Sequence, residues 1–353
     1  MTSRRMRAGV DANRILVLRT DRMGDLILST PLLAAIRAGG GNRNITVCAP
    51  PYALPVLEGN PDVDDTIPWR DDLRRMAREL RRKRFDAGIL LNPGFRSCMA
   101  LLLAGIPFRT GPLSRPPSFL FLNAGLRQKR SSSPLHQSEQ DGAFARLVIG
   151  GRSPALENPR IRITEEERKR GGEILRRVGA KSTGPIAGIH PGSGRSALRW
   201  PGRFYGEVGK RFAERGWAVV ITGGRGEQEM AERMAGAIGD GAVSAAGDFP
   251  LRAFFGLLSH LDLFVAPSTG PLHAAAALGV PVASPYSPLP SHRPARWGPR
   301  TEKAAVLVPP VECPAKLRCI EERCPHHPCM ERIEPDPLFR RAVALVESEE
   351  GGP

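Results

Sequence analysis

One carboxylate stands where a predicted strand passes into a predicted helix, and a carboxylate at such a turn can act as a general base. It is Asp25, in the stretch VLRTDRMGDLILSTPLLAAIR over residues 17–37. The alternative is structural, because an acidic residue in the first turn of a helix stabilises that helix. Arg19 and Arg22 lie beside it in the sequence, and they either pair with Asp25 or bind an anionic acceptor.

A second turn, APSTGPLHAAAALG over residues 266–279, has the composition of an anion site. Ser268 or Thr269 can cap the helix, Gly270 permits close approach, and Pro271 suits the first helical position. The start of the helix then offers free N–H groups and the positive end of its dipole to an anion. Taken alone, the same turn is also typical of an ordinary capped helix.

A third turn, HPGSGRSALRWP over residues 190–201, follows another predicted strand. It fits the pattern G-x-G-x-x-A, but the next strand ends in VVITGG and not in the acidic residue that holds a dinucleotide ribose, so we reject a dehydrogenase. The P-loop pattern G-x4-G-K-[ST] is absent from the sequence. The turn therefore predicts phosphate binding by backbone N–H groups, with Arg195 and Arg199 as nearby charges.

Two acidic segments complete the candidates. In GGRGE, residues 223–227, Glu227 could accept hydrogen bonds from a ribose or sugar hydroxyl, or serve as an acidic residue in the first turn of a helix. PDVDDT contains Asp62-Val63-Asp64, a D-x-D string of the kind that binds metal in some glycosyltransferases. We interpret that string as surface and predict no metal site.

The elements around these turns follow one pattern twice. Predicted strands at 15–18, 45–48 and 86–92 alternate with helices at 25–37 and 70–85, and a second alternation begins near residue 180. Such alternation predicts parallel sheets in an α/β fold, with ligands at the carboxyl ends of the strands. We expect an N-terminal domain over 1–165, a second over 180–335, a C-terminal helix or tail over 336–353, and a cleft between the two domains.

One segment breaks this pattern. Residues 109–137 mix Pro, Ser and basic residues with the apolar run SFLFL. Long irregular segments are often functional. This one either touches lipid or is a disordered crossover.

Charge and composition limit the partners. The chain has 353 residues, 41% of them hydrophobic and 25% charged, with a net charge of +15. Residues 1–150 hold 23 basic against 13 acidic residues, which favours an anionic partner or an arginine-rich surface. No uncharged run predicts a membrane span, and the N-terminus lacks the apolar core of a signal peptide. We therefore expect a cytoplasmic protein, with peripheral membrane contact open.

Four cysteines gather near the C-terminus, at Cys313, Cys319, Cys324 and Cys329. Their C-x5-C-x4-C-x4-C spacing matches structural zinc sites poorly. A loop held by local packing, or at times oxidised, is the prediction.

The combined motifs resemble glycosyltransferase family 9, the bacterial lipopolysaccharide heptosyltransferases. The likeness is carried, in the family's order, by ILVLRTDRMGDLILSTPLLAAIR, GIHPGSGRSALRWPGRFYGEV, VVITGGRGEQEMAERMA and STGPLHAAAALGVPVASPYSP, with the tail CPHHPCMERIEPD. The resemblance implies a GT-B fold with two Rossmann-like domains, the first binding the acceptor and the second the nucleotide sugar.

The implied reaction is inverting, metal-independent transfer of heptose from ADP-heptose to the lipopolysaccharide inner core. The resemblance implies no cofactor. The expected partners are the nucleotide sugar, an anionic lipid-linked glycan acceptor and the inner face of the cytoplasmic membrane, without nucleic acid. The alternatives are a family member that uses another nucleotide sugar for a different surface glycan, a nucleotide-sugar epimerase on the same fold, and a non-catalytic binding protein.

The resemblance also assigns residues. Asp25 falls on the catalytic base. The donor-binding residues expected are Ser193, Gly194, Arg195, Arg199, Glu227, Ser268, Thr269, Gly270, Pro271 and His273, and the acceptor-binding residues are Arg19, Arg22 and Gly24. Two positions depart from the family pattern, since Leu198 replaces a frequent Lys and Ser268 a frequent Asp. Both departures bear on which sugar is carried.

Overall fold

The computed structural model describes residues 9–114, 118–128, 133–151, 154–180, 184–194, 198–247 and 249–350, without the last two side chains. The chain divides into two compact units, Met1–Pro159 and Arg160–Pro353. The division falls six residues before the end predicted for the first domain. Each unit is built around its own sheet.

Unit 1 contains five parallel strands in the order β3-β2-β1-β4-β5. They are β1 (Arg14–Leu18), β2 (Asn44–Ala49), β3 (Asp65–Pro68), β4 (Ala87–Leu90) and β5 (Phe108–Thr110). The chain moves outward from β1 on one side and then continues on the other, so a switch point lies between β1 and β4. Ligands of such sheets bind at the carboxyl ends of the strands beside this point.

The helices of unit 1 are α1 (Met23–Ala38), α2 (Leu73–Arg82), α3 (Phe95–Leu103), α4 (Ser118–Phe121) and α5 (Gln137–Gly142). Helix α1 buries eleven of its sixteen residues and is apolar on most sides, as expected for a helix packed between other elements. On α2 only Met76, Ala77 and Leu80 are buried, and Met76 and Leu80 join α3 in the core. The remaining positions of α2 are mostly charged.

Unit 2 contains six parallel strands in the order β11-β10-β9-β6-β7-β8. They are β6 (Ile186–Ile189), β7 (Ala218–Ile221), β8 (Ala242–Ser244), β9 (Leu263–Val265), β10 (Val282–Pro285) and β11 (Ala304–Leu307). The switch point lies between β6 and β9, whose ends are aligned by the pair Ile189 and Val265. Three of the turns singled out in the sequence follow β6, β7 and β9.

The helices of unit 2 are α6 (Glu165–Arg177), α7 (Gly202–Glu214), α8 (Gln228–Ile238), α9 (Leu251–Leu258), α10 (Gly270–Ala277), α11 (Pro294–Trp297) and α12 (Pro335–Glu350). Thr164 caps α6, where its hydroxyl accepts from the N–H of Glu167. Helix α12 packs on α7 and on the core of this unit, so residues 336–350 belong to unit 2 and form no separate tail.

The α/β fold class is confirmed, and the sequence-based prediction missed several elements. Strands β3, β8 and β11 were not predicted, because they are short and only partly buried. The segment over 109–137 was predicted to be irregular, yet it holds the end of β5, helix α4 and the first residue of α5. Residues 115–117 and 129–132 of that segment lie outside the described part of the chain.

All six cysteines are free thiols, and Cys48 and Cys98 are buried. In the part of the chain that the structure describes, no helix is both long and apolar enough to traverse a bilayer.

Candidate active site

Asp25 lies in the first turn of α1, seven residues after the end of β1. Its side chain is 16% exposed, so it is shielded yet still reachable by a ligand. Arg22 occupies the N-cap position and is exposed, whereas Gly24 is buried. Among the predicted residues of unit 1, Asp25 therefore has the exposure expected of a general base.

Arg19 holds Asp25 from inside the unit. Its side chain is 1% exposed, and its three guanidinium nitrogens face three carboxylates. Nη2 lies 3.0 Å from Oδ1 of Asp25, Nη1 lies 2.9 Å from Oδ2 of Asp141, and Nε lies 2.7 Å from Oδ1 of Asp21. Because a guanidinium is planar and its donors are fixed in direction, these contacts define where the Asp25 carboxylate stands.

Asp141 is itself fully buried and has its own supports. Nε2 of Gln137 donates to Oδ1 of Asp141 at 2.8 Å, one turn earlier on α5. Oγ of Ser29, on α1, lies 3.0 Å from Oδ2 of Asp141 and 2.8 Å from the carbonyl oxygen of Asp25. The hydroxyl thus joins α5 to the turn of α1 that carries Asp25.

The role predicted for Arg19 in binding the acceptor is corrected by this geometry. The Arg19 side chain is 1% exposed and faces three carboxylates, so it presents almost no surface to an incoming anion. Of the two roles open from the sequence, pairing with Asp25 is the one that the structure shows. Arg22 and Gly24 remain predictions for the acceptor side.

The cluster around Arg19 carries one cation for three carboxylates. Burial raises the pKa of the Asp21 carboxyl to about 6, and the charges of Asp25 and Asp141 act in the same direction, against the opposing charge of Arg19. Burial by itself would lower the pKa of Arg19, but the three carboxylates raise it, so the guanidinium stays charged. Asp21 therefore titrates at mildly acidic pH.

The titration of Asp21 predicts a pH-dependent stability. Its folded-state pKa, about 6, lies above the ordinary 3.8, so the folded chain holds a proton that the unfolded chain has lost between these values. The contribution of this proton to the free energy of unfolding is fully present below pH 3.8 and is lost as pH rises through 6. We expect Asp21→Asn to raise the free energy of unfolding by about 1–2 kcal/mol at pH 7, and by almost nothing at pH 4.

Urea denaturation of parent and variant from pH 4 to pH 8 measures this difference. Asp71→Asn is the matched control, because that carboxylate is highly exposed. A gain from Asp21→Asn that is the same at both ends of the pH range would contradict the titration of Asp21.

In unit 2, Glu227 stands against the backbone of the turn after β6. Its Oε2 accepts from the N–H of Gly224 at 2.8 Å. A Cβ atom on Gly192 would lie 2.1 Å from its Oε1, so only glycine admits the carboxylate at this place. The first-turn role foreseen for Glu227 is thus present, and one carboxylate oxygen lies beside the glycine-rich turn.

His190, which the sequence analysis did not single out, joins the turns after β6 and β7. Its Nδ1 lies 3.1 Å from Oγ1 of Thr222. Burial lowers the pKa of His190, and the charge of Glu227 opposes this shift. The imidazole is therefore biased toward its neutral form beside the candidate anion site.

At the start of α10, the N-cap side chain makes no hydrogen bond to the backbone N–H groups of the first turn. Thr269 is at the N-cap position, but its side chain accepts no capping bond, and its hydroxyl donates to the carbonyl of Pro267 at 3.1 Å. Thr269 therefore occupies the predicted N-cap position, but without a capping bond from its side chain. Gly270 and Pro271 begin α10, and the buried His273 lies in its first turn.

The other predicted donor residues differ in exposure. Ser193 is buried in the turn after β6, and Gly194 is exposed with a φ of +51°. Arg199 is exposed, and Arg195 lies outside the described residues. Leu198 packs against the apolar core of unit 2, as does Trp200. An apolar side chain at position 198 therefore serves packing.

No group of three or more His, Cys, Asp or Glu side chains is arranged to hold a metal ion within the described ranges. In the D-x-D string, Oδ2 of Asp64 pairs with Arg37 at 2.7 Å and accepts from the N–H of Ile45 at 2.6 Å. The Asp64 carboxylate therefore links the residue before the edge strand β3 to β2.

The amino-acid sequence is similar to those of known heptosyltransferases. The Escherichia coli K12 lipopolysaccharide heptosyltransferase 2 is 26% identical over 292 residues, covering 78% of this chain and 83% of that protein. The lipooligosaccharide heptosyltransferase 2 of Haemophilus ducreyi is 23% identical over 353 residues, covering 94% and 99%.

The solved structure of E. coli ADP-heptose LPS heptosyltransferase II superimposes with a TM-score of 0.79 at 26% identity, over 96% of this chain and all of that one. The family model for glycosyltransferase family 9 (heptosyltransferase) matches residues 73–326. The turn with Asp25 precedes this match. Because the match spans well over half of the sequence, the chain belongs to glycosyltransferase family 9, the heptosyltransferases.

Proposed function

We propose that this glycosyltransferase moves heptose from ADP-heptose to the inner core of lipopolysaccharide, with inversion at the anomeric carbon and without a metal ion. The observation that carries the proposal is the shielded Asp25 carboxylate, oriented by Arg19 where β1 passes into α1. The similar proteins named above support the sugar and the acceptor. We call the residues around Asp25 in unit 1 the acceptor half-site. We call the glycine-rich turns and the start of α10 in unit 2 the donor half-site. Each is proposed to have its own task.

The acceptor half-site supplies the base. A carboxylate oxygen of Asp25 takes the proton of the acceptor hydroxyl as that oxygen attacks the anomeric carbon. The bond from this carbon to the diphosphate oxygen breaks, and ADP leaves with the electron pair. Arg19 fixes the direction of the carboxylate through its contact of 3.0 Å.

The donor half-site stabilises the diphosphate. The amides of Gly270 and Leu272 open α10, and the N-cap side chain does not use them. Amides at the start of a helix favour anions, and preorganised donors of this kind stabilise a leaving group as its charge develops. Glu227, on the turn after β7, is the proposed acceptor for a ribose or sugar hydroxyl.

Gly192→Ala tests the donor role of Glu227. The added methyl group would displace the flexible Glu227 carboxylate, so we expect ADP to bind about tenfold more weakly, the loss of one charged hydrogen bond. Calorimetric titration with ADP gives the affinity. Gly206→Ala is the control, because a Cβ there meets no atom within 4 Å. If Gly192→Ala binds ADP as tightly as Gly206→Ala, Glu227 acts only on its own helix.

Ser268 and Leu198 favour a second candidate, a family 9 transferase that carries another nucleotide sugar. Ser268 has an uncharged hydroxyl side chain, and Leu198 packs against the core. Neither side chain offers a charge to the donor, in contrast to the Asp and Lys frequent in the family. An epimerase is the weaker alternative, because it would need further acid and base groups around one sugar.

Donor profiling decides between these functions. The purified chain is incubated with a lipid A–based acceptor and with ADP-heptose or other nucleotide sugars, and release of the nucleotide is followed. We expect turnover with ADP-heptose that persists in a chelator. Turnover only with a different nucleotide sugar would favour the second candidate, and a strict requirement for a divalent cation would overturn the metal-independent mechanism.

The proposed acceptor is an anionic, lipid-linked glycan met at the inner face of the cytoplasmic membrane. The excess of basic residues over 1–150 and the exposed Arg22 beside Asp25 support an anionic acceptor. Binding of nucleic acid is not part of the proposal.

A further inference from the structure

Helix α3 turns an apolar face toward solvent. Its inner side is buried through Cys98, Ala100 and Leu101. On the opposite side, Phe95 is 61% exposed and Leu102 41% exposed. Residues spaced by seven lie on one side of a helix, so the two side chains share a face. The half-buried Met99 lies between them, four residues after Phe95 and three before Leu102.

The neighbouring helix α4 enlarges this face. The ring of Phe121 packs edge-to-face on the ring of Phe95, with 5.7 Å between the centroids. Phe119, on the same short helix, is 53% exposed. Single exposed apolar residues are ordinary, but a group on two packed helices indicates an interaction surface. We define the α3–α4 patch as Phe95, Leu102, Leu103 and Phe119.

Basic residues border the patch at both ends of α3. Arg96 follows Phe95, is exposed, and lies 3.2 Å from the exposed Asp71. At the other end, the guanidinium of Arg81 donates to the carbonyl of Leu103. Helix α2, which packs on α3, lies in the segment 70–84, where eight basic residues face three acidic ones. The border is therefore cationic.

We propose that the α3–α4 patch docks unit 1 on an anionic lipid bilayer. Its apolar side chains enter the boundary between headgroups and acyl chains, and the surrounding arginines contact lipid phosphates. The cationic border argues for this occupant, since an anionic membrane surface complements both the apolar patch and its charge. The need for a membrane rests on the proposed lipid-linked acceptor, but the docking itself rests on these side chains.

Sedimentation of the full chain with vesicles, without any substrate, tests the proposal. We expect the parent chain to bind mixed phosphatidylcholine and phosphatidylglycerol vesicles, and to bind them more weakly as salt rises. Leu102→Ser with Phe119→Ser should lower the partition coefficient at least about tenfold, since both side chains lose their apolar insertion. Arg96→Glu should lower binding to the anionic vesicles by about fivefold or more.

Matched controls lie in unit 2. Leu317→Ser removes a leucine that is more exposed than Leu102, and Arg170→Glu reverses an exposed arginine, so neither should change vesicle binding. Failure of the parent chain to bind anionic vesicles would overturn the proposal, as would a double variant that binds as tightly as the parent. Self-association that the double variant abolishes, without vesicle binding, would assign the patch to a second copy of the chain instead.

Docking and activity are separated by a second readout. On a short-chain acceptor in solution, the double variant should turn over like the parent chain, because the patch holds no residue of the candidate active site. Vesicle binding with no turnover of ADP-heptose would leave the patch assigned and the proposed function wrong. Normal turnover of ADP-heptose with no vesicle binding would support the proposed function and overturn the assignment of the patch.

Discussion

Replacing Asp25 by Asn should lower kcat by about 10²–10⁴-fold, the usual contribution of a general base, while the affinity for ADP stays unchanged. The amide keeps the size of the side chain, and its oxygen can still accept from Nη2 of Arg19. It cannot take the proton of the acceptor hydroxyl. The loss should therefore appear in the chemical step, measured as ADP release at saturating donor and acceptor.

Asp71→Asn is the control for Asp25→Asn, because it removes an exposed carboxylate from the same unit. ADP titration of both variants separates a catalytic defect from a folding defect. Turnover by Asp25→Asn at close to the parent rate would remove Asp25 from the mechanism. Equal losses in turnover and in ADP binding would indicate general damage to the fold.

Arg19→Met should cost about 3–5 kcal/mol of unfolding free energy at pH 7, because the buried cation leaves and its carboxylates remain. Asp21, Asp25 and Asp141 would then repel one another without compensation. Protonation relieves this repulsion, so the deficit should shrink as pH falls toward 4. Urea denaturation over pH 4 to 8 measures both effects.

Arg170→Met is the comparison for Arg19→Met. Arg170 pairs with Glu166 on the exposed side of α6, and loss of such a pair typically costs about 0.3–0.5 kcal/mol. If Arg19→Met fails to fold, Arg19→Lys keeps the charge without the planar fork, and we expect it to fold with an intermediate deficit. Equal deficits for Arg19→Met and Arg170→Met would contradict the supporting role of Arg19.

Local sequence pattern was enough to predict the elements that carry the site. The strand before Asp25 is a run of buried aliphatic residues, and the helix after it has apolar residues at helical spacing. The turns after β6, β7 and β9 were recognisable by their glycines and prolines. Strands β3, β8 and β11 were missed because each has only three or four residues and incomplete burial.

The supports of Asp25 could not be read from the sequence. Asp141 follows the irregular segment and is separated from Arg19 by 122 residues, so nothing local indicates their contact. Gln137 and Asp141 are one helical turn apart, a spacing equally typical of a solvated helix face. The distinction depends on burial, which tertiary packing decides. For the same reason, Arg19 was interpreted as an acceptor-binding residue when it is an internal counterion.

The distance along the chain between Arg19 and Asp141 also has a consequence for biosynthesis. A ribosome that has released residues 1–130 has released Asp25, the proposed base, and its partner Arg19, but not the Asp141 carboxylate that helps to hold Arg19. The emerging polypeptide therefore cannot align its proton acceptor until the last helix of unit 1 has joined the fold. The proposed base is therefore supported only once unit 1 is complete, and the donor-binding residues of unit 2 follow later in the chain.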